Sequence, residues 1–283
     1  QEANGCKRTT ETYRAAYTKF AAFLNQQDIT VERIDADMME DYQNYLRRQD
    51  LSLNTISFYM RILRSVYRKA VERGLALDRQ PFNKVYTGHP KTDKRAISID
   101  EIRRIKALHI EDERIRFARD LFLFSFYTRG MSFVDIAYLQ KSNIRNGILS
   151  YKRRKTGQML SMRWERGMQE IVDSYSSGHD RLYLLPIIRK ENGKERNQYR
   201  HIQTQINQCL KTVAQMVGIT RKLTMYCARH SWASIAQEQQ IPLGIISRGM
   251  GHSHERTTEI YLKSIDSSCI DQANSQIMAL LNE

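Results

Sequence analysis

The chain has 283 residues, long enough for two domains that each bury a core of their own, and one undivided domain is the less favourable arrangement. Its 45 Lys and Arg against 31 Asp and Glu leave a formal charge of +14, which makes nucleic acid the first partner to consider, although composition alone fits equally a basic enzyme whose charge only serves solubility. Cys6, Cys209, Cys227 and Cys269 form no CxxC pair, which argues against structural zinc or a disulfide framework, and the longest apolar run, Leu121 to Tyr127, is too short to cross a bilayer.

In chain order, Thr9 to Gln26 places Tyr13, Tyr17, Phe20 and Leu24 on one stripe, the pattern of an amphipathic helix. Asp35 to Arg48 repeats it through Met38, Tyr42, Tyr45 and Leu46. Ser52 opens a third helix bearing Ile56, Tyr59, Met60, Leu63, Tyr67 and Val71, with Gly74 as its stop. Together these predict a small helical bundle whose outside carries Lys19, Arg47, Arg48, Arg61, Arg64, Arg68 and Lys69. Any one of those charges, taken singly, is better explained as facing water.

Leu75 to Ala96 breaks the periodicity with Pro81, Gly88, Pro90 and a basic stretch from Lys91 to Arg95, the pattern of a linker. The first domain is therefore assigned to residues 1–88 and the second to 89–283. Ser98 with Glu101 forms a capping-box pattern ahead of Ile102 and Ile105. Arg114 to Tyr127 and Phe133 to Leu139 predict helices on either side of an Arg129-Gly130 turn. Ile148 to Met162 predicts a hairpin turning at Thr156-Gly157, with Lys152, Arg153, Arg154 and Lys155 near its tip. A basic polar loop is expected from Arg189 to Arg200. Helices are then expected over Ile202 to Val217, Tyr226 to Gln239, Leu243 to Met250 and Arg256 to Lys263, with a tail helix in residues 265–283. The fold class is mainly α with one small antiparallel sheet.

Several segments of the second domain then fall in a recognisable order. Met250-Gly251-His252, Thr257-Thr258 and Tyr261 place the histidine nine residues before the tyrosine. Ala228-Arg229-His230-Ser231 precedes them, and Lys155-Thr156-Gly157 lies in the hairpin. Each is weak alone. In this order, on a basic chain with an N-terminal helical bundle, they resemble the tyrosine recombinases of the phage integrase type over nearly the whole chain. The resemblance implies a SAM-like core-site-binding helical domain and a mixed α+β catalytic domain. It also implies duplex DNA as substrate, with cleavage through a 3'-phosphotyrosyl intermediate on Tyr261 and neither metal nor cofactor.

The chemistry explains the residue types. Phenolate attack on a phosphodiester passes through a phosphorane of greater negative charge, so fixed cations and hydrogen-bond donors are wanted around its oxygens. The planar fork of Arg229 suits two of those oxygens. By the same resemblance His252 is expected to donate to a phosphate oxygen, and Lys155 to protonate the departing 5' hydroxyl, with Lys152 and Arg154 close enough in the hairpin to substitute. Singly, Tyr261 would be a packing aromatic, His252 a surface histidine, Arg229 an ion-pair partner and Lys155 a solvated charge; the joint match outweighs those explanations.

Two positions depart from the family's pattern. Aligning Gly130-Met131 and Asp135 with its first arginine box puts Ser132 where an arginine is expected, and Arg129, on the turn into the same helix, is the expected replacement. Asp135 keeps the acidic position that braces the site. Tyr226 stands where a histidine is usual; a phenol there suits binding better than proton relay. His230 is expected to pack or support. These departures keep open a binding-only recombinase fold, and a type IB topoisomerase would use the same chemistry.

The remaining expectations are a soluble, cytoplasmic, nucleoid-associated protein with no membrane contact. It is expected to clamp duplex DNA between its domains and to form a homotetramer on paired sites through the tail at 265–283. An accessory DNA-bending protein and an arm-binding domain upstream of Gln1 would both be compatible with the sequence. Phosphate contacts from Lys152, Arg153, Arg154, Arg61, Arg64 and Arg68 are expected to dominate binding.

Overall fold

A computed structural model describes residues 7–88, 95–176, 182–259, 261–262, 274 and 278. The chain divides into two units, Gln1–Thr92 and Asp93–Glu283.

The first unit is built on α1 (Lys7–Phe23), α2 (Ala36–Arg48) and α3 (Leu53–Glu72). The carboxylate of Asp35 accepts from the Met38 amide at 2.9 Å and Ser52 Oγ from the Thr55 amide at 3.3 Å, so both later helices start where the sequence offers a cap. Phe20, Met39, Tyr42, Leu46, Ile56, Met60 and Tyr67 form the core, with Phe20 meeting Tyr42 edge-on at 4.9 Å between ring centres. Each such buried side chain contributes about 1.5–3 kcal/mol of transfer free energy. The stretch after Gly74 differs from the loose connection its prolines and glycine suggest. Phe82 and Val85 are buried in the bundle core, Arg64 Nη1 donates to Thr87 Oγ1 at 2.9 Å, and Ser57 Oγ donates to the Gly88 carbonyl.

In the second unit, α4 (Ile99–Ala107) starts with both reciprocal bonds of the Ser98/Glu101 capping box. The apolar α5 (Glu113–Tyr127) is central, packing against α4, α7 (Arg166–Ser174), α8 (Glu195–Met216) and α9 (Met225–Glu238). Leu121, Phe122 and Phe124 are fully buried there. The short α6 (Phe133–Ala137) follows α5, and α10 (Leu243–Gly249) and α11 (Glu255–Glu259) follow α9. The sheet is antiparallel in the order β1 (Ile144–Arg145), β2 (Ile148–Lys152), β3 (Met159–Arg163), with Ser150 opposite Ser161 and Lys152 opposite Met159. Among the described residues no helix is long and apolar enough to cross a membrane.

Three differences from the sequence expectations stand out. Helix α8 begins at Glu195, inside the stretch expected as loop to Arg200, because its polar first turn hides the apolar period that Ile202, Ile206, Leu210 and Val213 make visible. Helix α7 and the two-residue β1 are both additional. Helix α7 buries only Met168, Ile171 and Val172, too few positions to mark a face in advance. The tail helix assigned to 265–283 lies outside the described residues apart from Asn274 and Met278.

Candidate active site

Helix α9 carries Arg229 inward from its first turns, 6% exposed. Its Nη1 donates to the Gly130 carbonyl at 2.7 Å, and its Nη2 to the Met250 carbonyl at 2.7 Å and to His252 Nε2 at 2.8 Å. The turn between α5 and α6 can approach so closely because Gly130 has no side chain. Its φ is +73°, and a Cβ there would lie 2.6 Å from the Arg229 Cα. Burial holds the Arg229 pKa below its ordinary value, and neighbouring Arg153 adds to that depression.

His252 is fixed at both ring nitrogens. A guanidinium can only donate, so Nε2 accepts from Arg229 and the ring proton sits on Nδ1, which donates to buried Thr258 Oγ1 at 2.8 Å. Burial and then the cations Arg229, Arg153 and Lys155 depress its pKa to about 4, which keeps the ring neutral at pH 7. In this arrangement Nε2 presents a lone pair rather than the proton that donation to a phosphate needs.

The Tyr261 ring stacks on His252 at 5.4 Å and 27°, and the guanidinium carbon of Arg229 lies 5.5 Å from its centre. Its hydroxyl meets that of Tyr226 at 2.5 Å. Tyr226 precedes Arg229 by almost one turn of α9, so both face the same side. Its own ring is bracketed by His230, edge-on at 4.8 Å, and by the Arg95 guanidinium at 5.9 Å. Burial, reinforced by the bond to Tyr261, raises the Tyr226 pKa above its ordinary value. His230 is buried and also packs on Tyr261, at 4.6 Å between ring centres.

From the other side comes the β2–β3 hairpin. Leu149, Tyr151 and Arg153 alternate inward, and Arg153, just beyond β2, is 8% exposed with Nη1 donating to the Gly251 carbonyl. Lys152, Arg154 and Lys155 are exposed, with the Arg154 guanidinium 3.7 Å over the Tyr138 ring. The hairpin is tied to α6 through Asp135, whose Oδ1 accepts from the Arg154 amide at 2.9 Å and whose Oδ2 accepts from Ser132 Oγ at 2.6 Å. Ser132 is also the N-cap of α6.

Tyr261, Arg229, His252, Tyr226 and His230 are thus brought together, with Arg153 and Lys155 near enough to act on the His252 ring. Arg129 stands at the edge. It lines an open recess with Asn146, Ile148, Met162 and Trp164, and its Cδ would lie 3.8 Å from a Cβ on Gly249. In the first unit Arg61 Nε donates to the Ser57 carbonyl, Arg64 holds Thr87, and Arg68 is exposed. The inward turn of Arg153 is what the sequence reading missed. The signal that would have found it is the two-residue alternation Leu149, Tyr151, Arg153.

The phage integrase family model matches residues 99–267, and the model of the phage integrase SAM-like domain matches residues 1–87. Tyrosine recombinase XerD of Pseudomonas aeruginosa is 21% identical over 262 residues, covering 89% of this chain and 85% of that protein. Tyrosine recombinase XerC of Pelotomaculum thermopropionicum is 22% identical over 278 residues, covering 92% and 89%. Among solved structures, a lambda integrase dimer bound to a COC' core site superposes with a TM-score of 0.70 at 14% identity, covering 92% of both chains. The Tn1549 transposon integrase in complex with circular intermediate DNA gives 0.67 at 11% identity, covering 93% of this chain and 92% of that one.

Proposed function

Since the chain belongs to the phage integrase family, we propose that it is a site-specific recombinase that cuts and rejoins DNA through a phosphotyrosine on Tyr261. The observation that carries this reading is the convergence on one tyrosine of a buried guanidinium, a neutral histidine and a second phenol, drawn from α9 and the segment after α10. In the reaction Tyr261 Oη forms a bond to phosphorus as the bond from phosphorus to the 5' oxygen breaks. The 5' oxygen takes a proton from Lys155, and Arg229 balances charge on the non-bridging oxygens. The linkage keeps its phosphodiester energy, so a different 5' hydroxyl can reverse the step without a nucleotide cofactor.

His252 takes a role set by its tautomer. Once Arg229 turns to phosphate, Nε2 is left as a lone pair beside Tyr261, suited to accept the phenol proton. Duplex DNA is the partner, bound chiefly through phosphates and assembled as a tetramer on paired sites; the DNA-bound dimers and tetramers among the structural neighbours and the charge of +14 support this. The test is a nicked suicide substrate carrying the cognate site: the protein forms a covalent adduct and Tyr261→Phe does not. No adduct from the parent protein overturns the reading in favour of a binding-only recombinase fold.

A further inference from the structure

Arg153 was expected only as one of several basic residues contacting DNA phosphates, and its setting is unusual for a hairpin arginine. It is 8% exposed, its Nη1 is spent on the Gly251 carbonyl, and among the described residues it makes no ion pair. Arg229 likewise has carbonyls, the His252 ring and Tyr261 as partners, and among the described residues it makes no ion pair with a carboxylate. The nearby acid, Asp135, is occupied by Ser132 Oγ and the Arg154 amide. Two buried guanidinia therefore share one end of the site without a counterion, a costly arrangement unless an anion is to enter.

We propose that Arg153 is a catalytic residue, the second guanidinium that touches a non-bridging oxygen of the scissile phosphate. This rests on the tyrosine recombinase reading. Three observations place it there. Arg229 grips Met250 and Arg153 grips Gly251, so the two heads sit on consecutive carbonyls of one turn, directly before His252. The Arg153 Nε and Nη2 have no partner among the described residues and are not sealed from solvent, which leaves donors for an incoming oxygen. The charge is also felt inside the site: Arg153 counts among the causes that depress both Arg229 and His252.

The positioning is equally specific. The Arg153 amide donates to the Gln158 carbonyl at 2.8 Å and closes the hairpin, while Asp135 pins the next residue to α6. Gly251 is held at φ +68°, and a Cβ there would lie 3.0 Å from Arg153 Cδ and 2.7 Å from Leu160 Cδ1, so the glycine makes room for the arginine stem. Ser132, which stands where the family's pattern has an arginine, is absorbed in capping α6 and bonding Asp135, and Arg129 lines the recess with Trp164, which leaves the hairpin as the element that carries a buried guanidinium next to Arg229. Arg153 transfers no proton and forms no bond to phosphorus; it only neutralises charge as the phosphorane forms.

The test is single-turnover cleavage of a suicide substrate by the full chain, parent against Arg153→Ala, Arg153→Lys and Arg129→Ala, on two substrates. One carries the ordinary scissile phosphate and the other a methylphosphonate at that position, which removes one negative charge. On the ordinary substrate Arg153→Ala is expected to cleave about 100-fold more slowly or worse, the size of loss when one transition-state donor is removed, and Arg153→Lys to recover part of it. On the methylphosphonate the deficit of Arg153→Ala shrinks to a few-fold. Parent-like cleavage by Arg153→Ala overturns the assignment. So does an equal deficit on both substrates, which marks a structural role, and so does a deficit of Arg129→Ala that methylphosphonate relieves while that of Arg153→Ala persists. If the parent itself makes no adduct with the ordinary substrate, the recombinase reading fails instead.

Discussion

The hydroxyls of Tyr226 and Tyr261 lie 2.5 Å apart, and burial raises the pKa of Tyr226 above its ordinary value. With its pKa raised, Tyr226 holds its proton and can donate it, so the negative charge that develops on Tyr261 Oη as the phenol proton leaves is met by a hydrogen bond from a hydroxyl already within reach. Removing that donor costs roughly 1.5–3 kcal/mol, the range for bonds to charged groups. Tyr226→Phe is therefore expected to slow single-turnover cleavage at neutral pH by roughly 10- to 150-fold. A variant faster than the parent would show that Tyr226 restrains the nucleophile instead.

His252 makes stability depend on pH in a defined window. Its pKa falls from the ordinary 6.5 to about 4 on folding, so between those values the unfolded chain binds more protons and gains on the folded one as pH falls. Above about 6.5 the group contributes no dependence, and below about 4 no further loss. The urea midpoint should drop between pH 7 and pH 5, and the drop should be smaller in His252→Gln. An identical drop in both proteins would remove His252 from the explanation.

Gly130 and Gly147 share a left-handed backbone, with φ of +73° and +71°, but only the first faces a wall. Gly147→Ala meets nothing within 4 Å and should cost only the backbone strain, about 1 kcal/mol. Gly130→Ala would drive a methyl into Arg229. It should cost several times more by thermal or urea unfolding and abolish adduct formation. Equal losses from the two substitutions would mean the α5–α6 turn can yield.

Asp135 connects α6 to the hairpin, and this connection can be measured one amide at a time. Ser132→Ala loses the cap of α6, at a cost of about 1 kcal/mol. Asp135→Ala also frees the Arg154 amide, so exchange of that amide with solvent should accelerate in Asp135→Ala well beyond its change in Ser132→Ala. Unchanged exchange at Arg154 would place the hairpin's anchorage elsewhere.

Much of the framework was legible in local chemistry. Asp35, Ser52 and Ser98 announce helix starts because a short polar side chain satisfies the orphan amides of a first turn wherever the helix ends up. The order of Arg229, His252 and Tyr261 was equally visible. What the sequence hides is contact between distant segments. Nothing in the His252 neighbourhood says that a guanidinium from α9 will occupy its Nε2, which is what sets the tautomer. Arg153 was hidden differently: four consecutive basic residues look like a solvated tip, and only extending the strand alternation past Lys152 separates the inward arginine from its exposed neighbours. The start of α8 shows the reverse case, a helix whose polar opening carries no apolar period until the core begins.

The turn at Met250 and Gly251 offers its two carbonyl oxygens to the two guanidinia. Consecutive carbonyls of one backbone turn therefore set the spacing of two charges that arrive from distant parts of the chain, one from α9 and one from the hairpin. A shift of that single turn would displace both guanidinia together, so the separation of the two cations is a property of the backbone and not of the arginines themselves.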